Sequence, residues 1–261
     1  MRKAVFSGAF YPAQPSLLKA QLKEFFSDTK PAACRAVISP HAGYVYSGKT
    51  CAHAIAALKK SNTYVIIGPN HQGIGPDFST CSDAWETPLG KVEADEDLIK
   101  KLLGLKFLKD EKSAHANEHS IEVQLPFLKY RFENFRIVPI SIINIDYSDE
   151  LLEQCIELGR MLARYDVGLI ASSDFSHYLP IDIATEKDNK TIEKIKGLDA
   201  KGLFDVLEEI DASVCGYAGI AVVIAFAKRL GLKAKILHSS TSGDVTGDMG
   251  SVVSYWAIGF G

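Results

Sequence analysis

The sequence predicts an α/β fold: a central, mostly parallel or mixed sheet with helices on its faces. Three observations lead there. Short apolar runs rich in β-branched residues alternate with segments of helical period along the chain. Three of those runs, over residues 36–39, 64–68 and 167–171, each break into a loop that carries a histidine, the pattern of parallel strands whose carboxyl ends face a ligand crevice. Finally, 261 residues with 47% hydrophobic and 23% charged side chains suffice to bury roughly 75% of the unfolded surface. With no linker, repeat or low-complexity stretch, residues 1–261 are expected to form a single domain.

Each element follows from local pattern. A short apolar opening ends at Pro12, and residues 16–26 have helical periodicity with Ser16 as the expected cap. The strand over 36–39 breaks at Pro40. A helix is expected over 49–60, where Ala52, Ile55, Ala56 and Leu58 make a face small enough to pack closely on a sheet. After the strand over 64–68, a loop with three glycines leads to an expected extra strand over 78–84. The segment Trp85-Glu86-Thr87-Pro88-Leu89-Gly90 is an excursion suited to a lid or pocket wall. Residues 95–103 read as a helix and 113–117 as irregular. Residues 118–130 read as a helix kinked at Pro126. Residues 136–143 form a strand in which Pro139 points to an edge or a bulge. A helix over 149–165 precedes the third histidine-bearing strand. Two helices, an apolar helix over 220–230 and strands over 234–238 and 252–258 complete the chain, with an acidic, turn-rich loop over 242–248 between the last two.

Composition removes several classes of function. A net charge of -3, with lysines dispersed among acids, leaves no electrostatic footprint for nucleic acid or an anionic membrane. The longest apolar run is too short to span a bilayer, and no signal-peptide pattern opens the chain. The cytoplasm is the expected compartment. Five cysteines, Cys34, Cys51, Cys81, Cys155 and Cys215, are odd in number and contain no Cys-x-x-Cys, so reduced thiols are expected rather than a disulfide framework or a zinc ribbon. The glycines over 69–76 lack the lysine and the spacing of a nucleotide loop.

Chemistry concentrates at the strand ends. His41, His71 and His177 each follow an apolar strand, and neutral imidazole is the commonest side-chain metal ligand. Asn117-Glu118-His119-Ser120 opens a helix from which Glu118 or His119 reaches the same crevice. Cys215 precedes Gly216 at a helix start, where the dipole favours the thiolate that binds metal; the same position also suits a small buried hydrophobe. Two imidazoles and a thiolate with open positions suit iron(II) or copper better than magnesium or calcium. Asp174 is either part of this constellation or a turn cap. Structure alone accounts for His53 in a helix, His115 in a polar loop and His238 in a strand. Phe10, Tyr11, Tyr44, Tyr46 and Trp85 suit either a pocket or an interface.

Six motifs in order carry a family resemblance. Ser39-Pro40-His41-Ala42-Gly43-Tyr44, Gly68-Pro69-Asn70-His71, Thr87-Pro88-Leu89-Gly90, Glu118-His119-Ser120-Ile121-Glu122-Val123-Gln124-Leu125-Pro126, Ser172-Ser173-Asp174-Phe175-Ser176-His177 and Cys215-Gly216 together resemble the Memo family, component B of the AmmeMemoRadiSam system. The resemblance implies a fold similar to class III extradiol dioxygenases, which hold iron with two histidines and a glutamate. It also implies that His41, His71 and Cys215 occupy the metal positions, with iron(II) expected first and copper second. His177 takes the place of the acid-base histidine, with Asp174 beside it; Glu118 and His119 join them as catalytic candidates. Cysteine in place of glutamate departs from the ring-cleaving pattern, because a thiolate changes the potential of iron and is itself oxidisable. Three functions follow from the resemblance: a metal-dependent redox or dioxygenase-type enzyme acting on a small molecule or peptide, a metal-binding protein without turnover, and a peptide or phosphopeptide reader. Radical-SAM and AMMECR-type proteins are the partners it implies.

Overall fold

The computed structural model describes residues 1–143 and 146–261. In chain order the elements are α1 (Pro15–Phe25), β1 (Ala36–Ser39), α2 (Tyr44–Ala57), β2 (Thr63–Pro69), β3 (Phe78–Thr80), β4 (Glu93–Ala94), α3 (Glu96–Leu102) and β5 (Leu108–Asp110). There follow α4 (Ser113–Ala116), a 3-10 turn (Glu122–Gln124), α5 (Leu125–Arg131), β6 (Arg136–Ile142), α6 (Asp149–Leu162), β7 (Gly168–Ser172) and α7 (Ile181–Lys196). The chain ends with α8 (Ala200–Glu209), α9 (Tyr217–Leu230), β8 (Ala234–Thr241), α10 (Gly243–Thr246) and β9 (Ser254–Phe260).

Among the described residues the strands form one sheet in the order β5-β3-β6-β2-β7-β1-β9-β8, with β4 paired to β6. Its middle is parallel: β6 with β2, β2 with β7, and β7 with β1. Antiparallel pairs (β3 with β6, β1 with β9, β9 with β8) flank it. This is the α/β architecture with a mixed central sheet that the alternating pattern predicts.

Strand geometry sends successive side chains to opposite faces, and the core divides accordingly. Ala36, Ile38, Val65 and Ile67 pack with α6 and α9 through Cys155, Leu158, Ile220 and Phe226. Val37, Tyr64, Ile66 and Ile170 pack with α1, α2 and α5 through Leu18, Ile55 and Phe127. Burial on both faces explains why these strands read as continuous apolar runs. Cys34, Cys51, Cys81 and Cys155 are buried thiols that do not bridge.

Several elements differ from the sequence reading, each for a local reason. Helix α1 starts after Gln14 with Pro15 in its first turn, and Ser16 does not cap it. Helix α2 begins at Tyr44 rather than near 49, because Gly43 takes the cap position and Tyr46 and Ser47 N–H groups turn back to its carbonyl. Strand β3 stops at Thr80. Residues 113–116 are helical, and His115 lies fully buried there rather than in a polar loop. Pro126 starts α5 instead of kinking a longer helix, since a first-turn proline forfeits no helical hydrogen bond. Pro139 sits in the middle of the sheet, not at an edge: it pairs with Ile66 on one side, and on the other it falls between the stretches registered with β4 and β3. Strand β8 runs on to Thr241, and the 242–248 loop contains α10.

The Trp85 segment is not a lid. Trp85 is buried, pairs with Val92 and bridges to Arg2, whose guanidinium lies 4.5 Å from the ring centroid. Arg2 is held in turn by the Glu122 carboxylate and by the carbonyls of His115 and Glu118. Glu122 also accepts from the Val5 and Phe6 amides and the Tyr11 hydroxyl. The first eleven residues are thereby latched beneath the loop after β1, where Tyr44 N–H donates to the Phe10 carbonyl.

Candidate metal centre

Parallel register brings the histidines together. Ser39 of β1 is level with Ser172 of β7, and Ile67 of β2 with Ala171, so the loops after these three adjacent strands open on one side of the sheet. Cys215 reaches the same place from the segment before α9. Gly216 permits this approach, because a Cβ there would overlap the Ser172 carbonyl and the Ser173 side chain. Gly68 does the same for the turn after Glu118, since its missing Cβ leaves room for Ser120 and Ile121.

One ligand atom each from His41, His71 and Cys215 lie within 4.8 Å of one another. Donors on a common ion at about 2.0–2.3 Å stand up to about 4.6 Å apart, and the trio lies close to that spacing. The His41 Nε2 to Cys215 Sγ distance is 3.1 Å.

Hydrogen bonds assign the tautomers. Ser172 Oγ donates to the Ser120 carbonyl at 2.6 Å, so it accepts from His41 Nδ1 at 3.0 Å. That leaves the lone pair of His41 on Nε2, toward the thiol. His71 Nδ1 donates to Glu118 at 2.9 Å, which leaves its lone pair on Nε2 as well. Glu118, 1% exposed, also accepts from the amides of His71 and Ser120. Burial raises its pKa, but those hydrogen bonds and the adjoining imidazoles outweigh burial and hold it at about 2. Gln124 braces the other side by donating to the Pro40 carbonyl and to Ser172 Oγ.

The remaining predicted residues surround this core. His119 stacks on His71 with ring centroids 4.6 Å apart and packs against Phe6 and Phe10. Burial and the neighbouring His41 push its pKa down to about 3, so the ring is neutral near pH 7. Asp174, buried at 4% exposure, accepts from the His41 amide at 2.8 Å. Burial raises its pKa against that bond. It positions the His41 loop and does not cap a helix. His177 donates from Nδ1 to the Ser213 carbonyl at 2.7 Å and from its backbone amide to Ser213 Oγ. Its Nε2 lone pair is therefore available to take a proton.

Cys215 departs from the sequence expectation. The amide of Asp174 donates to Sγ at 3.2 Å, yet burial, reinforced by the Asp174 carboxylate, pushes the thiol well above its ordinary range. The helix starts two residues later, at Tyr217, and desolvation outweighs any dipole. The thiol gives up its proton only to something that supplies positive charge in return, as a metal ion does.

Of the five aromatic residues singled out from sequence, Tyr11, Tyr44 and Trp85 are in the core, Phe10 backs His119, and Tyr46 is exposed. Four contributors were given no role from sequence: Ser172, Gln124 and Glu122, which lie within the quoted motifs, and Ser213, which does not. Gln124 carried a signal, a polar side chain between Val123 and Leu125; Ser213 carried none.

Comparison with known proteins gives a consistent result. The Memo-like protein family profile matches residues 2–259. A MEMO1 family protein of Methanosarcina barkeri is 44% identical over 99% of each chain. One from Sulfolobus acidocaldarius is 41% identical, covering 100% of this chain and 99% of that protein. Among solved structures, an uncharacterized protein from Escherichia coli K12 superposes with a TM-score of 0.56 at 15% identity, over 87% of this chain and 99% of the other. That likeness concerns the fold.

Proposed function

The chain belongs to the Memo-like protein family, and from that premise we propose that it is a metal-dependent redox protein, with His41, His71 and Cys215 holding one iron(II) or copper ion. The observation that carries the reading is the pair of tied-off Nδ1 atoms: Ser172 and Glu118 leave both imidazole lone pairs on Nε2 beside one thiol. A carboxylate or hydroxyl behind a histidine is the arrangement that fixes and strengthens metal ligation. Two neutral nitrogens and a sulfur form a donor set for iron or copper rather than for oxygen-seeking magnesium or calcium. Bound there, such an ion supplies one-electron chemistry and a site for dioxygen or a hydroxylated substrate.

The chain supplies the rest. Asp174 fixes the His41 loop, Glu118 orients His71, and Phe6 and Phe10 pack on His119. His177, with its Nε2 lone pair, accepts a proton from a substrate hydroxyl and returns it. A cytoplasmic setting fits the unbridged thiols. No helix of the described residues is long and apolar enough to cross a membrane.

The deciding experiment is metal analysis of protein prepared without oxygen, for the unmodified chain, His41→Ala and Cys215→Ser. About one iron or copper per chain, lost in both variants, is the expected result. Absence of both metals from the unmodified chain after anaerobic reconstitution overturns the proposal. His177→Ala is expected to keep the metal and lose oxygen uptake with a hydroxylated substrate; parallel loss of both would make His177 a ligand instead.

A further inference from the structure

A cavity of about 370 Å³ opens at the far end of α9 from Cys215, where α9, α6 and the turn between α7 and α8 meet. From Tyr217 to Lys228 the helix rises about 16 Å, so this cavity is separate from the candidate metal centre. Its floor is apolar: Ile156 of α6, Leu198 of the turn, and Ile224 and Ala225 of α9 line it. Ile224 belongs to the core, and Ile156 and Leu198 pack against it. Leu198 is held with φ at 52°, the left-handed conformation that glycine adopts at least cost after a helix. A leucine at that position strains the turn and supplies the cavity with a wall.

The rim is cationic. Arg160, Lys201, Lys228 and Arg229 stand around the opening against one acid, Asp199. Lys201 is engaged by Asp205 at 2.8 Å and by Asp149 at 3.5 Å, and Asp199 accepts from the Gly202 amide at the start of α8. Among the described residues no carboxylate pairs with Arg160, Lys228 or Arg229. These three lie in the last turns of α6 and α9. The carbonyl ends of the two helices together take up about one of their charges, and the remainder gives the opening a positive potential.

We propose that this cavity binds a small amphiphilic monoanion, a carboxylate on an aliphatic body. The chain lies on Leu198, Ile224 and Ala225, and the carboxylate meets Arg160 and Arg229, whose planar guanidinium groups match its two oxygens. The cavity volume falls in the range of small-molecule sites, roughly 300–1,000 Å³. A neutral chain of the same length forgoes the rim, a bare anion forgoes the floor, and an aliphatic ammonium meets like charge. The site requires no metal and stands apart from the chemistry at His41, His71 and Cys215.

The test is a set of titrations of the full, nitrogen-15-labelled chain at pH 7.5 and low salt, followed by amide NMR. Octanoate, 1-octanol and octylamine present one chain with a negative, a neutral and a positive head, and inorganic phosphate presents charge without a chain. Octanoate is expected to move the amides of Leu198, Ala200 and Ala225 and to bind at least about fivefold more tightly than the other three, with the advantage shrinking in high salt. A combined Arg160→Gln and Arg229→Gln variant is expected to lower octanoate to the affinity of octanol. Leu198→Gly, which relaxes the turn, is expected to weaken octanoate and octanol alike, with folding of both variants checked by circular dichroism. Octanol, octylamine or phosphate binding as tightly as octanoate, octanoate shifts confined to another region, no octanoate binding, or an unchanged affinity in the arginine variant overturns the inference. The ranking is read in protein stripped of metal, so it decides the matter whichever way the metal analysis falls.

Discussion

Glu118 shows how much of the proposed metal site depends on residues other than its ligands. Its carboxylate is committed to the His71 ring and to two backbone amides, so it is a positioning residue rather than a proton carrier. Glu118→Gln keeps the shape and removes the charge behind the imidazole. The expected outcome is a roughly 10- to 100-fold loss of iron or copper affinity in a competitive chelator titration, together with a lower urea midpoint, because an amide NH2 then faces N–H donors that both carboxylate oxygens accept from. Wild-type affinity would demote Glu118 to a packing residue. At this scale the convergence of His41 and His71 was legible from sequence because strand–loop–histidine repetition is a pattern along the chain, whereas Cys215 was singled out by the family resemblance. Ser172, which sets the His41 tautomer, was not legible: its role arises from a meeting between β7 and the turn before α5, and linear order gives no sign of it.

At the scale of elements, the departures cluster where the chain turns. The apolar strands were legible because burial on both faces leaves only apolar side chains along them. Helix starts were less so, as at Gly43, where cap geometry decides without a side-chain signal. The segment between β7 and α9 makes the point quantitatively testable. Gly216 has an ordinary backbone conformation, with φ at -106°; what the position demands is the absence of a Cβ against β7. Gly216→Ala is expected to cost about 1–3 kcal/mol in urea unfolding, the range for overpacking, and to weaken metal binding by moving Cys215. An unaltered midpoint would mean that the segment shifts freely and that Cys215 is not held by its neighbours.

Across the whole molecule, burial of neutral histidines ties stability to pH. His115, fully buried beside Trp85 and the Arg2 guanidinium, illustrates the sign: burial, then the positive charge of Arg2, lowers its pKa from 6.5 to about 4. Above pH 6.5 the ring is neutral whether folded or unfolded, and its contribution is full. As pH falls from 6.5 toward 4 only the unfolded chain takes up the proton, so stability declines by up to about 3 kcal/mol; below about 4 the loss levels off. His115→Phe is expected to lessen that decline between pH 7 and pH 4, measured as urea midpoints at each pH. A variant with an unchanged slope would assign the acid sensitivity to other groups.

The order of strands across the sheet has a consequence for biosynthesis. Strands β1 and β2, which deliver His41 and His71, are not neighbours; β7 lies between them. A ribosome that has released residues 1–160 has therefore made two of the three proposed ligands without the spacer that sets them side by side. The thiol arrives some fifty-five residues later, counted from 160 to 215. A nascent chain that has not yet released residue 215 lacks one of the proposed donors, so the proposed site is completed late in synthesis.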